Sequence, residues 1–411
     1  MVMRPNGMAG PFTQASLRAK IASCSPADKH GRMSDFDFFY GPRLLSGPGA
    51  SSRAGQLLPP GRCLVVTDAT VLSLGLADKM VSGLRDAAIE PIIFDPVEPD
   101  PPRATVLAAA EAGRDCASVI GFGGGSPMDV AKLAAYLLGS GDDLETLWGV
   151  GKAIGPRLPL IQVPTTAGTG SEATPVSVIT VGGGEKRGVS SAALVADFAI
   201  LDPDLTLGLP RDITAATGID AMVHAIEAYT SKRLKNPMSD MLAREALRLL
   251  AANLLNACDT PRDVEARGQM LLGSHLAGVA FANAPVAGVH ALAYPLGGHF
   301  HVPHGVSNAL MLPHVLSHNM GAAMPLYAEL GVLLDPLLEH ESTQGAAEAF
   351  VQRMRDFSMR AGVPQHLGQV GVSASDVPFL ASEAMKQERL LVNNPCPIGE
   401  SDARRMYEAA L

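Results

Sequence analysis

An α/β domain with a parallel sheet, followed by an all-helical domain, is the fold the sequence predicts, and three observations carry that expectation. Between Cys63 and Asp202 short apolar runs of strand composition alternate with stretches of helical spacing. After Asp202-Pro203 the strand signals stop and long helical periods follow. The glycine-rich loops around 121–125 and 168–170 lie before that change, each directly after an apolar run.

Taken in order, residues 1–33 combine Pro5, Gly7, Gly10, Pro11 and a polar stretch from Ser23 to Arg32. No periodicity there joins a core, so a disordered extension is expected. The run from Met33 to Pro42 reads like a natural beginning, which leaves Met33 open as a start beside Met1. The α/β domain is placed at 34–205. Its elements are a strand at Cys63–Thr67, a helical stretch to about Leu84, a strand at Pro91–Phe94, a helix through Ala104 to Ala112 and a strand at Ser118–Phe122. Such a βαβαβ order gives a parallel sheet covered by helices. Leu160–Pro164 reads as a further strand, Val176–Thr180 with the Gly182 turn as a hairpin, and Ala199–Asp202 as the last strand.

The segment Gly121-Phe-Gly-Gly-Gly-Ser126-Pro-Met-Asp129-Val-Ala-Lys132 follows a strand and opens a helix, with Ser126 suited to the cap and Pro127 to an early helical position. Glycines there let backbone N–H groups approach a phosphate at a helix N-terminus, although a glycine run alone also makes a plain tight turn. Asp68, directly after the first strand, either caps the next helix or takes both hydroxyls of an adenosine ribose; the second role repels a 2′-phosphate and favours NAD over NADP. The order departs from an ordinary Rossmann fingerprint, because the acid precedes the glycines. Pro164-Thr165-Thr166-Ala-Gly168-Thr169-Gly170-Ser171-Glu172 is a second hydroxyl- and glycine-rich turn after a strand. Lys186, beyond the hairpin turn, offers a cation to a ribose or pyrophosphate or is simply solvated.

The helical domain is placed at 206–411. Met241, Leu242, Ala246, Leu247, Leu249, Leu250 and Leu254 recur at helical spacing and read as core. Asp220 and His224 are one turn apart on one helix face. Downstream, a short helical start carries His290 and is broken by Pro295 and a glycine pair, after which a loop returns with His304. A carboxylate and three imidazoles suit Fe²⁺ or Zn²⁺ better than Mg²⁺ or Ca²⁺, and a set without thiolate resembles an open catalytic centre. A lone histidine such as His275 or His318 reads instead as hydrogen-bonded. A site that draws on both halves must lie in the cleft between them.

Across 411 residues, 47% are hydrophobic and 18% charged, as expected of a folded globular protein of two domains. A net charge of -9 without basic clusters argues against nucleic acid or an anionic membrane as partner. Five scattered cysteines without a Cys-x-x-Cys pair suggest neither a disulfide framework nor a thiolate zinc site, which fits a reducing cytoplasm. No apolar run reaches the roughly 18 residues of a membrane span.

With these residues placed, the chain resembles the iron-containing (group III, metal-dependent) alcohol dehydrogenase family from about Phe36 to Leu411. The segments Gly123–Lys132, Pro164–Glu172, Gly218-Ile-Asp-Ala-Met-Val-His-Ala-Ile-Glu227 and Pro303-His-Gly-Val-Ser-Asn308 carry the resemblance. It implies a dehydroquinate synthase-like fold, a metal (Fe²⁺, alternatively Zn²⁺) held by Asp220, His224, His290 and His304, and NAD lined by Asp68, Gly124, Gly125, Ser126, Thr165, Thr166, Thr169 and Lys186, with Asp129 counted beside them. Reversible hydride transfer between NAD and a small alcohol or hydroxyacid is then expected, with a homodimer or higher homo-oligomer as the default. Two departures stand out. Many members have a histidine where this chain has Tyr294, so Tyr294 or His301, with His299 as a further candidate, is expected to handle the proton; and Cys396 follows Asn394-Pro where Arg is common. On the same fold, a hydroxyacid–oxoacid transhydrogenase, a maleylacetate reductase or a lyase remains an alternative, as does a silent nucleotide- and metal-binding protein.

Overall fold

Strands that read as unbroken apolar runs must be buried on both faces, and the centre of the sheet obeys this. The computed structural model describes residues 35–411 apart from 183 and 184, so the expectations about 1–33 and the Met33 start lie outside the described residues. Six parallel strands run in the order β1-β9-β6-β4-β2-β3: β1 (Arg43–Ser46), β2 (Gly61–Val66), β3 (Ile89–Phe94), β4 (Ser118–Gly123), β6 (Leu160–Pro164) and β9 (Phe198–Leu201). Every residue of β4 and β6 is buried. The edge strand β1 is mostly exposed and was not expected from the sequence; its four residues gain strand geometry by pairing with β9.

Helices α1 (Ala69–Ser73), α2 (Asp78–Asp86), α3 (Arg103–Ala112) and α4 (Gly125–Ser140) connect the strands. The stretch to Leu84 is two helices instead of one, because Gly75 at φ +68° turns the chain between them. The cap of α4 is Gly124, in extended backbone, so Ser126 lies inside the first turn and is not the cap. The expected hairpin is present as β7 (Val176–Thr180) and β8 (Lys186–Ser190), antiparallel, and with β5 (Gly149–Val150) it forms a separate three-stranded sheet. Strands β3 and β4 lie on opposite sides of β2, so the winding reverses there and a crevice opens beyond the carboxyl ends of β2, β4 and β6.

From Arg211 on the chain is helical. Helix α5 (Arg211–Thr230) is buried at every residue from Gly218 to Thr230, including the polar Asp220, His224 and Glu227. Around it lie α6 (Pro237–Asp259), α7 (Val264–Asn283), α8 (Gly288–Phe300), α9 (His304–Leu334) and α10 (Thr343–Ala361), followed by α11 (Val377–Met385), α12 (Glu388–Leu391) and α13 (Glu400–Ala409). The predicted stripe of α6 points inward, with Ala246, Leu247, Leu250 and Leu254 fully buried, although Met241 is exposed.

Pro295 does not break α8. It forfeits one backbone bond, yet buried Leu292 and Leu296 hold the helix to Phe300, where His301 at φ 55° ends it. His304 therefore opens α9 instead of hanging on a loop. Among the described residues no single helix is long and apolar enough to cross a membrane. Phe38–Leu411 pack as one unit.

Candidate metal centre and dinucleotide cradle

Asp220 and His224 face the same way from α5, and the two remaining imidazoles arrive from the first turns of α8 and α9. One ligand atom from each of Asp220, His224, His290 and His304 lies within 4.8 Å of the others. The Asp220 Oδ1 to Nε2 distances are 4.0 Å for His224, 3.9 Å for His290 and 3.6 Å for His304. Asp220, His224 and His290 are buried, while the His304 side chain is 40% exposed and opens the cluster on one side.

Glycine decides how closely these helices approach. A Cβ on Gly305 would stand 2.3 Å from the Ala216 carbonyl oxygen, so only glycine lets the start of α9 rest on α5 one turn before Asp220.

A second layer fixes the imidazole orientation. The Nδ1 of His290 is 2.7 Å from Glu227 Oε2, and Glu227 also accepts from the backbone N–H groups of Ala287 and Val289 at 2.9 and 2.6 Å. Because a carboxylate only accepts, His290 carries its proton on Nδ1 and offers Nε2 to the cluster. The Nδ1 of His224 meets the Gly168 carbonyl oxygen at 3.2 Å with the same consequence.

Asn308, one turn beyond His304, donates from Nδ2 to Asp220 Oδ1 at 2.6 Å and lies 3.3 and 3.2 Å from Nε2 of His290 and His304. Its Oδ1 is buried without a partner. An amide N–H₂ against three acceptors marks a point that demands positive charge, and the donor set fits a divalent cation. Glu227 and Asn308 lie within sequence motifs that assign them no role; the i, i+4 step from His304 to Asn308 is the one signal the chain offers.

Burial disfavours positive charge on two of the imidazoles. Burial, reinforced by the neighbouring imidazoles, drives His224 down to about 3 from 6.5, with Asp220 opposing. Burial also lowers His304. For Asp220 burial is the largest influence and disfavours the charge, but the three imidazoles and Asn308 outweigh it and hold the carboxyl below its usual range.

The expected proton-handling residues separate. The half-buried Tyr294 ring lies 5.9 Å from the His304 ring and 6.5 Å from that of His290. Burial raises its hydroxyl pKa, with the Arg389 charge opposing. His301 is exposed at the end of α8, and His299 turns to Glu383 at 3.4 Å and the Phe379 ring.

The glycine-rich turns gather at the strand ends. Gly123 adopts φ +150°, and a Cβ on it would stand 2.8 Å from Pro127 and 3.4 Å from Asp68 Oδ2. Asp68 caps α1 through Oδ1, which accepts from the Val71 N–H at 2.9 Å, so the cap leaves Oδ2 toward the glycine turn. Cβ atoms on Gly124 and Gly125 would meet Thr166 at 3.8 Å and Thr169 at 3.1 Å, which brings the two turns face to face with Ser126 in the adjoining first turn of α4. Thr165 is buried below them, its N–H bonded to the Gly123 carbonyl at 2.9 Å.

Two expected cofactor contacts are engaged elsewhere. Asp129 accepts from Ser171 Oγ at 2.6 Å and the Val178 N–H at 2.8 Å, so its carboxylate ties α4 to the second turn and the hairpin instead of facing the crevice. Fully buried Lys132 completes that knot through Ser171 Oγ at 2.8 Å and the Val176 carbonyl at 2.6 Å. Lys186 pairs with Asp100 at 2.6 Å.

The halves lock at two points. Gly168 packs so tightly on α5 that a Cβ would stand 2.7 Å from Thr217, and Gly170, at φ +58°, touches Gly278 of α7 backbone to backbone. The turn that borders the cradle is thus the one whose carbonyl orients His224.

Residues 41–203 match the model of iron-containing alcohol dehydrogenases, and residues 214–411 that of the C-terminal part of the Fe-containing alcohol dehydrogenase family. The chain is 43% identical to long-chain-alcohol dehydrogenase 1 of Geobacillus thermodenitrificans, over 84% of this chain and 89% of that one. It is 33% identical to the NAD-dependent methanol dehydrogenase of Bacillus methanolicus, over 91% of this chain and all of that one. The crystal structure of a 1,3-propanediol oxidoreductase superposes with a TM-score of 0.89 at 37% identity, covering 92% of this chain and 100% of that one.

Proposed function

The chain belongs to the iron-containing alcohol dehydrogenase family, and we propose that Asp220, His224, His290 and His304 are its metal ligands and Tyr294 its proton-handling residue. It is an NAD-linked oxidoreductase acting on CH–OH groups of a small molecule, with a divalent metal as cofactor. The observation that carries the residue assignment is the convergence of four ligand atoms within 4.8 Å, next to the turn that borders the dinucleotide crevice.

When bound, the metal supplies Lewis acidity toward the substrate oxygen and the nicotinamide accepts or delivers hydride. The protein's part is to hold both. Glu227 and the Gly168 carbonyl accept from the Nδ1–H groups of His290 and His224, which fixes the ring orientation and turns Nε2 of each toward the cluster. Gly123, Gly124, Gly125 and Ser126 open backbone N–H groups toward the pyrophosphate, Thr165, Thr166 and Thr169 border it, and Asp68 Oδ2 takes the ribose hydroxyls. Tyr294, kept protonated by burial, gives its proton to the substrate oxygen in reduction and is reprotonated from solvent; in oxidation the steps reverse, its hydroxyl first losing a proton to solvent and then taking that of the alcohol.

We read 34–205 as the dinucleotide-binding domain and 206–411 as the metal and substrate domain, in a cytoplasmic homodimer or higher homo-oligomer that engages neither nucleic acid nor membrane. Iron is the favoured metal and zinc the alternative.

The test is metal analysis of protein purified without oxygen, joined to an NADH-formation screen over short alcohols, diols and hydroxyacids before and after chelation. Chelator-sensitive NADH formation restored by Fe²⁺ or Zn²⁺ is expected. Metal-loaded protein that forms no NADH with any of them overturns the reading.

A further inference from the structure

The turn that delivers His290 has no cap of its own. Ala287, at the cap position of α8, has no side chain that can accept from the first-turn N–H groups, and Glu227 of α5 takes that part. The same turn is gripped a second time, by the chain that follows α12. Asn393 Nδ2 donates to the Val286 carbonyl at 2.9 Å, while the Asn393 carbonyl accepts from the Lys232 N–H at 2.7 Å. Asn394 packs against Gly288, where a Cβ would stand 2.7 Å from its Oδ1 and 3.1 Å from its Cγ.

Asn394 is itself held. Its Nδ2 donates to Asn319 Oδ1 at 2.6 Å and to the Cys396 carbonyl at 2.8 Å, and its Oδ1 accepts from Asn319 Nδ2 at 3.0 Å. Both amides are buried. Displacing either one leaves the other unsatisfied away from water, so the reciprocal pair resists movement, and with it the Gly288 backbone that rests on it. Asn319 belongs to α9, the helix that opens with His304. The pair therefore ties the element carrying His304 to the turn carrying His290.

We propose that Asn394, locked by Asn319, is a positioning residue for the metal centre: it holds the turn before His290 against Glu227 and so sets where the His290 imidazole meets the other three ligands. This rests on the reading of His290 as a metal ligand. Metal retention then depends on the segment after α12, although none of the four candidate ligands lies in it.

The test measures Co²⁺ and Zn²⁺ affinity of the full chain by competition with a chelator, the visible absorption of the Co²⁺ protein, and NAD affinity by fluorescence titration. Asn394→Ala should weaken metal binding about tenfold and alter the Co²⁺ bands, with NAD affinity native. Gly288→Ala, which drives a methyl group into Asn394 from the other side of the same contact, should do likewise. Because both act on one contact, the double variant should lose no more than about the larger single loss. Asn236→Ala removes an equally buried amide, the cap of α6, and should lower the urea midpoint while leaving metal affinity and the Co²⁺ bands unchanged.

Native metal affinity and Co²⁺ bands in Asn394→Ala or in Gly288→Ala, additive losses in the double variant, or an equal loss in Asn236→Ala would overturn the proposal. Should Asn394→Ala not fold, Gly288→Ala decides it. Full metal content in His290→Ala defeats the ligand reading and this inference with it, whereas metal loss there beside native affinity in Gly288→Ala defeats this inference alone.

Discussion

In the turns at the strand ends the proposed binding groups are backbone N–H groups that glycines leave open, whereas in the helical half the proposed ligands are side chains held in place by other side chains. At Gly123 no Cβ fits between Pro127 and Asp68, and at Gly170 none fits against Gly278. At His290, by contrast, the ring orientation depends on Glu227, which in turn depends on two backbone N–H groups of the His290 turn. The first region fails when something is added. The second fails when something is removed, and the Gly168 carbonyl on His224 is where damage to one reaches the other.

The largest expected effect comes from removing a ligand. His290→Ala should cost at least about 10³-fold in turnover and most of the bound metal, with NAD binding retained; metal content and NAD titration of one sample separate the two, and full metal content would refute the assignment. Addition in the other region should do the reverse. Gly123→Ala, forced to φ +150° against Pro127, is expected to weaken NAD binding about 10- to 100-fold while metal content stays native. A fluorescence titration with NAD checks it, and unchanged affinity would mean that the turn does not cradle the pyrophosphate.

Glu227→Gln tests the supporting layer. It keeps the size but replaces the acceptor, and metal affinity should fall about 10- to 100-fold; competition with a chelator measures it. Asp68→Asn, which keeps a capping oxygen, should narrow the preference for NAD over NADP about tenfold. An unaltered coenzyme ratio would return Asp68 to the cap role alone.

The smallest effect is on pH dependence. His224 is driven from 6.5 to about 3, so between these values the unfolded chain binds the proton that the folded chain refuses. Its contribution to stability is complete above pH 6.5 and is lost as pH falls toward 3, with a slope near 1.4 kcal/mol per pH unit at most. His304 moves in the same direction. Urea midpoints of metal-free protein between pH 7 and 4 should therefore decline; a flat profile would mean that these rings are not kept neutral.

Hydrophobic periodicity and residue chemistry are local properties, so the central strands, the change from strands to helices after Asp202, the four candidate ligands and the two glycine-rich turns were legible in the chain. The sequence misjudged what depends on neighbours far along the chain. Edge strand β1 exists through β9, α8 continues past Pro295 because its core face is buried, and Ser126 is not the cap because the helix already begins at Gly125. It also placed Asp129 beside the cofactor, where the fold directs it to Ser171 and Val178. Which of Tyr294 and His301 lies beside the cluster was left to the packing of α8 and α9, since no spacing in the chain encodes how two helices pack.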